Sequence, residues 1–332
     1  MLFDRLQGIR IRGFSHPLAQ ALGQRVLIAL LLLWSVSVLI FLSINALPGD
    51  FAAASAGQNA SPEAMAAIRQ SLGLDQPLVI RYFSWVTQLL QGDLGISWGS
   101  HQPVGTLLWP RLINSLSLAG GAMLLAVPVA LGGGLLAVRY LHRLPDRVLQ
   151  WLSLVTLSLP EFFIGYLLIE AVVVQAGLTT FPSTLYDDMT FSQRFSAMIL
   201  PMCTLALSVL AHLLRSTRSA LLQLTDTPWM ETARLKGLAP LHILLKHAAP
   251  NAIAPVVTVI AINLAALIVG AMIVEVIFVY PGMGQYMVDA VTVRDIPVVQ
   301  ACGLVFASLY IVINLLVDGI VLFTNPRLRY PR

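Results

Sequence analysis

Residues 228–251 read PWMETARLKGLAPLHILLKHAAPN and carry Glu231, Arg234, Lys236, Lys246, His242 and His247 between two long apolar blocks. A Glu and an Arg three positions apart on a helix can pair, or can offer charge-assisted hydrogen bonds to another protein. Four carboxylates stand in or beside apolar stretches: Glu161, Glu170, Glu275 and Asp318. Charge is costly in hydrocarbon, so each is a functional suspect. They could relay protons, as in a proton-coupled secondary transporter. They are single residues on different segments, however, and interhelical hydrogen bonding or contact with a polar pathway is the stronger expectation. His212, close to Arg215 and Arg218, is expected to be structural. Covalent catalysis is not expected. Lys236 and Lys246 each follow Leu, so neither completes the Gly-Lys of a phosphate-cradling loop, and neither a GxSxG nucleophile turn nor an HExxH zinc helix is expected. Any nucleotide hydrolysis must therefore belong to another polypeptide. Cys203 and Cys302 lie far apart in apolar runs and suggest neither a disulfide framework nor a thiolate metal site.

The elements that hold these residues are membrane spans. The chain has 332 residues, 57% hydrophobic and only 11% charged, where soluble domains carry about 25% charged residues. A membrane helix needs about 20 mostly apolar residues. Six stretches qualify: Val26 to Leu47, Leu116 to Val138, Val148 to Val174, Phe195 to Leu214, Ala252 to Val279 and Val298 to Phe323. Pro128, Pro160, Pro201 and Pro255 in or near them demand a packed bundle that satisfies the freed carbonyls. Gly120, Gly121 and Gly132 to Gly134 offer small surfaces for close helix packing. Asn263, midway along the fifth span, must face another helix or a polar path, and Pro281, Gly282 and Gly284 are expected to form a tight turn beyond that span that could shape an outer gate.

Lys and Arg number four in residues 1–25, three in 139–147, five in 215–251 and three in 324–332, against three, one and one in the alternate segments 48–115, 175–194 and 280–297. By the positive-inside rule both termini are cytoplasmic. The expected organisation is a cytoplasmic segment 1–25, a first span 26–47 retained as an anchor, an extracytoplasmic segment 48–115, a transmembrane core 116–323 containing the cytoplasmic loop 215–251, and a tail 324–332. Within 48–115 a short helix is expected from Ser61 and Pro62. A second, from Pro77 to Gln91, has Tyr82, Trp85 and Leu89 at helical spacing, suited to the membrane interface. Despite a pI near 9.3, no basic patch interleaved with aromatics points to nucleic acid.

In the charged loop, Asp226 or Thr227 can cap a helix opening at Pro228 and ending at Gly237. Its ten residues span about 15 Å, too short to be stable alone. Met230, Ala233 and Gly237 fall on one narrow face, expected to lie in the groove of a cytoplasmic partner. A second helix is expected from Pro240, closed by Pro250.

The string ETARLKG with Pro250 beyond it resembles the Glu-Ala-Ala-x-x-x-Gly loop of ATP-binding-cassette importer permeases, with Thr232 in place of the second Ala as in the peptide branch. LGLDQPL at 72–78, GDLGIS at 92–97, NAIAPVVTV at 251–259, EVIFVYPGMG at 275–284, RDIPVVQ at 294–300, INLLVDG and NPRLRY extend the resemblance over nearly the whole chain. Trp229 and Glu231 depart from the branch's usual Tyr and Arg. Together these motifs resemble the first permease subunit of dipeptide, oligopeptide and nickel importers. The resemblance implies an all-α, six-span type I importer permease in a bacterial inner membrane. Implied partners are a second homologous permease, two ATPase subunits that bind the ATP and Mg, and an extracytoplasmic solute-binding protein. No cofactor is implied for this chain. Glu231, Thr232, Ala233, Arg234, Lys236, Gly237 and Pro250 would couple it to an ATPase, and Asn263, Glu275, Pro281, Gly282 and Gly284 are gate or pathway candidates. A short peptide is the expected cargo; a nickel chelate or an oligosaccharide remains an alternative.

Overall fold

The computed structural model describes residues 17–46, 62–178, 181–186, 188–225 and 227–324. Among them the regular elements are helical: α1 Pro17–Ala46, α2 Pro62–Ser71, α3 Leu78–Leu90, α4 Val104–Arg139, α5 Leu144–Ser158, α6 Glu161–Leu168 with a π-helical continuation Ile169–Gln175, α7 Phe191–Thr225, α8 Pro228–Leu235, α9 Pro240–Ile243 with a π segment Leu244–Ala248, α10 Ala249–Phe278, α11 Met283–Val293 and α12 Ile296–Thr324. Five helical stretches are long and apolar enough to cross a membrane, and a bent pair makes up to six. Ser61 and Asp226, two of the expected capping residues, lie outside the described residues.

The expected third span differs most. It is two helices, α5 and α6, bent by 105° at a short break. Leu159 is extended there (φ −93°, ψ 129°), as a residue preceding proline prefers, and Pro160 has no N–H with which to continue α5. Pro201 and Pro255 stay inside their helices. The second span begins earlier than expected, because α4 takes in residues 104–115 of the supposed outer loop.

The chain divides into two compact units. One holds Met1–Val26, Leu116–Tyr280 and Val312–Arg332; the other holds Leu27–Ser115 and Pro281–Ile311. In the first, α7 is the central element, with α4, α5, α6 and α10 against it. Glycine permits the close approach of α4: a Cβ at Gly134 would meet Thr217 Cβ at 2.8 Å, and one at Gly133 would meet Leu214 Cδ1 at 2.8 Å. Gly120 and Gly132 have nothing within 4 Å, so only part of the small-residue set packs a helix. Asp146, buried at the head of α5, accepts two bonds from the Arg218 guanidinium of α7, at 2.8 and 3.0 Å, and a third from the His142 N–H at 3.0 Å. This three-donor arrangement satisfies a carboxylate that would otherwise be expensive to bury.

In the second unit, Val104, Leu108, Met283, Ala290, Val298, Ala301 and Cys302 form the core. On helix α3 the Tyr82 and Trp85 rings are half-buried. Tyr82 and Trp85 pack on Phe41 of α1, and the Tyr82 and Ser37 hydroxyls are 2.9 Å apart. Its exposed apolar side chains are Leu78, Val79, Ile80, Phe83 and Leu90.

Candidate functional site

The charged loop leaves α7 through Thr227, which takes the N-cap position of α8. Its hydroxyl donates to the Leu224 carbonyl at 2.6 Å instead of accepting an α8 amide, so the expected side-chain cap is absent. Pro228 opens the helix with its φ already suited to the first turn. Gly237, at φ +76°, closes it: the Gly237 N–H donates to the Arg234 carbonyl at 2.9 Å and the Leu238 N–H to the Ala233 carbonyl at 3.4 Å. The bonds and the left-handed glycine are those of a helix C-terminal cap.

What holds an eight-residue helix in place is its inner face. Met230 and Ala233 are 2% and 8% exposed and pack with Val138, Leu221, Ile243, Leu244, Ala248 and Ala252. This corrects the expectation that Met230, Ala233 and Gly237 form an outward strip: two of the three face the chain's own core. Glu231, Thr232, Arg234 and Lys236 are exposed, together with Trp229, Leu235 and Leu238. Among the described residues Glu231 and Arg234 form no ion pair with each other. The outward face therefore combines unpaired charge of both signs with large apolar side chains, Leu235 being 83% exposed.

Pro250 does not close the second helix. From Pro240 the chain is helical to Phe278, passing through the π segment, and Pro250 sits in the first turn of α10, where a missing N–H costs least. The loop is thus continuous with the span that follows it.

The pathway candidates separate. Asn263 is buried, and its Nδ2 lies 3.1 Å from His212 Nδ1 while also donating to the Val259 carbonyl at 2.7 Å. It faces α7, as one of its two expected placements required. Glu275 is fully buried in α10, and its carbonyl accepts the Tyr280 N–H. Burial raises the pKa of the Tyr280 phenol, reinforced by the Glu275 charge. At the reversal that follows, the left-handed residue is Val279 (φ 52°), whereas Gly282 is extended and Gly284 lies within α11. The reversal expected at Pro281, Gly282 and Gly284 thus takes its left-handed residue from Val279 and not from a glycine. Pro281 and Met283 are instead fastened to α4: the Pro281 carbonyl accepts from Asn114 Nδ2 at 2.9 Å, and the Met283 N–H donates to Ser115 Oγ at 2.8 Å.

Of the other intramembrane acids, Glu161 stands at the start of α6, its carboxylate against Gly270 of α10 and accepting from Ser208 Oγ at 3.4 Å. Glu170 is exposed on the π-helical turn and accepts from Gln175. Asp318 pairs with Arg25. Glu161, Glu170 and Asp318 thus each have a different partner among the described residues.

One string escapes the expectation that nucleophile motifs are missing. Gly95-Ile96-Ser97-Trp98-Gly99 spells the G-x-S-x-G of hydrolase elbows. The structure removes that reading, because Ser97 is buried and its hydroxyl donates directly to Asp295 Oδ2 at 2.5 Å, without a histidine between them. Asp295 also accepts from the Trp98 and Gly99 N–H groups, at 3.2 and 3.0 Å. Neither this cluster nor the Asp146–Arg218 pair was evident beforehand, since the partners stand far apart in sequence. The one available signal was an acid next to a helix-opening proline at Asp295-Ile296-Pro297.

Apolar spans, with an exposed charged loop continuous with one of them, define an integral membrane protein. Comparison with known proteins assigns it further. Residues 129–330 match the family model described as binding-protein-dependent transport system inner membrane component, and residues 18–119 match the N-terminal model of the same systems. The glutathione transport system permease protein of Salmonella typhi is 37% identical over 295 residues, covering 89% of this chain and 94% of the relative. Its counterpart in Escherichia coli (strain K12) is 36% identical over 298 residues, covering 90% and 95%. The chain belongs to the family of binding-protein-dependent transport system inner membrane components. It is a multi-pass inner-membrane permease of a bacterial ATP-binding-cassette importer and not an enzyme. Membership of that family sets aside the proton-coupled transporter.

Proposed function

We propose that this chain is one of two permease subunits through which an importer moves short peptides, glutathione-like tripeptides among them, and that α8 is the lever by which a partner ATPase drives it. The observation that carries the lever is its two-faced geometry. Met230 and Ala233 anchor α8 in the core, while Trp229, Glu231, Arg234, Leu235 and Lys236 are free to meet another protein. Because the helix from Pro240 runs unbroken into α10, displacement of α8 pulls on a whole span. The excess of Lys and Arg in residues 1–25, 139–147, 215–251 and 324–332 supports a cytoplasmic location for the loop and both termini, with 48–115 outside. ATP and Mg are bound by the ATPase subunits, and a solute-binding protein delivers cargo. Similarity to the glutathione transport system permeases supports a small peptidic cargo, as do the peptide-branch motifs.

The test is uptake of labelled dipeptide and glutathione by the complete importer in proteoliposomes. Glu231→Lys with Arg234→Glu, and separately Leu235→Asp, are expected to cut ATP-driven uptake at least about tenfold, the effect of losing an interfacial anchor, while the chain itself stays folded. Uptake by this chain without ATPases, or full uptake by these variants, refutes the lever. Failure of the wild-type importer to move either solute refutes the cargo.

A further inference from the structure

In the second unit a cleft of about 1420 Å³ lies between α2, α3, the 93–101 loop and the start of α12. That exceeds the roughly 300–1,000 Å³ usual for small-molecule sites. Its lining mixes indoles and hydrogen-bonding groups: Trp85 and Gln88 from α3, Trp98 from the loop, Gln300 from α12. One arginine lines it, Arg81. The nearby acids are committed elsewhere. Asp93 accepts the Gly95 N–H at 2.8 Å, and Asp295 takes the Ser97, Trp98 and Gly99 donors. No carboxylate among the described residues pairs with Arg81, and partial burial pushes its pKa down, the mark of a cation taken from water without a counter-charge. A half-desolvated, uncompensated guanidinium in a wall of a cavity favours an anion that fills its planar fork.

We propose that this cleft binds the free carboxylate of a short peptide against Arg81, with Trp85 and Trp98 covering the rest of the molecule, as an entry site on the outer side of the permease. The proposal rests on the peptide-importer reading for its ligand. A peptide suits the lining because it brings one carboxylate, amide groups for Gln88 and Gln300, and side chains for the indoles. Arg81 acts by charge and fork geometry, so lysine substitutes partly and glutamine does not.

The two indoles make the site its own reporter. The complete importer in phosphatidylcholine nanodiscs is titrated with alanyl-alanine, with its C-terminal amide, and with acetate, following tryptophan fluorescence. A Trp85→Phe/Trp98→Phe double variant subtracts the other tryptophans. Expected is a saturable change with the dipeptide and one about tenfold weaker or more with the amide, the scale set by loss of a charge-assisted pair. Arg81→Gln erases the difference, and Arg81→Lys keeps it within a few-fold. Equal response to dipeptide and amide, no saturable response, or persistence of the preference in Arg81→Gln overturns the proposal. So does a signal that appears with phosphatidylglycerol nanodiscs and not with dipeptide, which assigns Arg81 to a lipid headgroup. Dipeptide binding without uptake in proteoliposomes refutes the cargo reading alone. Uptake without carboxylate-dependent fluorescence refutes the entry site alone.

Discussion

Met230→Ala isolates the inner face of α8 from its outer one. The side chain is 2% exposed and is the largest contribution of α8 to the cluster with Leu221, Ile243 and Leu244. Truncating a fully buried Met costs about 2–5 kcal/mol, and a short helix that can settle inward should fall at the lower end, about 2–3 kcal/mol. Because α8 is too short to persist undocked, that loss appears as local opening, made roughly 30- to 150-fold more populated. The amides to follow are those of Met230, Glu231, Lys236, Gly237 and Leu238, each bonded to a backbone carbonyl within the loop. Their hydrogen exchange in the purified protein should accelerate by that factor, while amides of α7 around Val209 change little. ATP-driven uptake should fall in parallel, although every exposed residue of α8 is untouched. An acceleration below about threefold refutes the argument that Met230 fastens the helix.

Glycine substitutions within one turn of α4 should diverge: Gly132→Ala has open space and should raise the melting temperature slightly through helix propensity, about 1 kcal/mol, whereas Gly134→Ala meets Thr217 Cβ at 2.8 Å and should lower it. Equal shifts in a thermal-unfolding assay contradict the packing of α4 on α7. Asp146→Ala leaves the Arg218 guanidinium without its acid and should cost about 3–5 kcal/mol; in a double-mutant cycle with Arg218→Met the two losses should be far from additive, and additive losses would show that the pair does not interact. Gly237→Ala must hold a left-handed φ of +76° and should destabilise the end of α8 by about 1–2 kcal/mol, seen as faster exchange at Gly237 and Leu238 than at Met230. Uniform exchange along the loop would contradict it.

Much of the plan is written locally. Runs of apolar residues mark the spans, and Pro228 and Gly237 mark the ends of α8, because φ limits, missing donors and transfer free energies act on neighbouring residues. The same local signals misled where two outcomes share one sequence. Pro250 can end a helix or occupy its first turn, and only the helical path arriving from Pro240 selects the second. The strip Met230 and Ala233 fits any apolar surface, and the chain supplies its own in Leu221 and Ile243 before a partner can. The spacing of Tyr82 and Trp85 showed one helix face, and only the folded chain shows that Phe41 of α1 packs on it.

The amino-acid sequence by itself determined the number of apolar segments, their charge asymmetry and the limits of the short charged helix, since each depends on residues within a few positions of one another. Tertiary structure alone decided the 105° turn at residue 160, the burial of Asp146 on Arg218 and of Ser97 on Asp295, and the uncompensated Arg81 in its cleft. Those depend on which distant groups the folded path brings within a few ångströms, where hydrogen bonds and desolvation act and sequence distance does not.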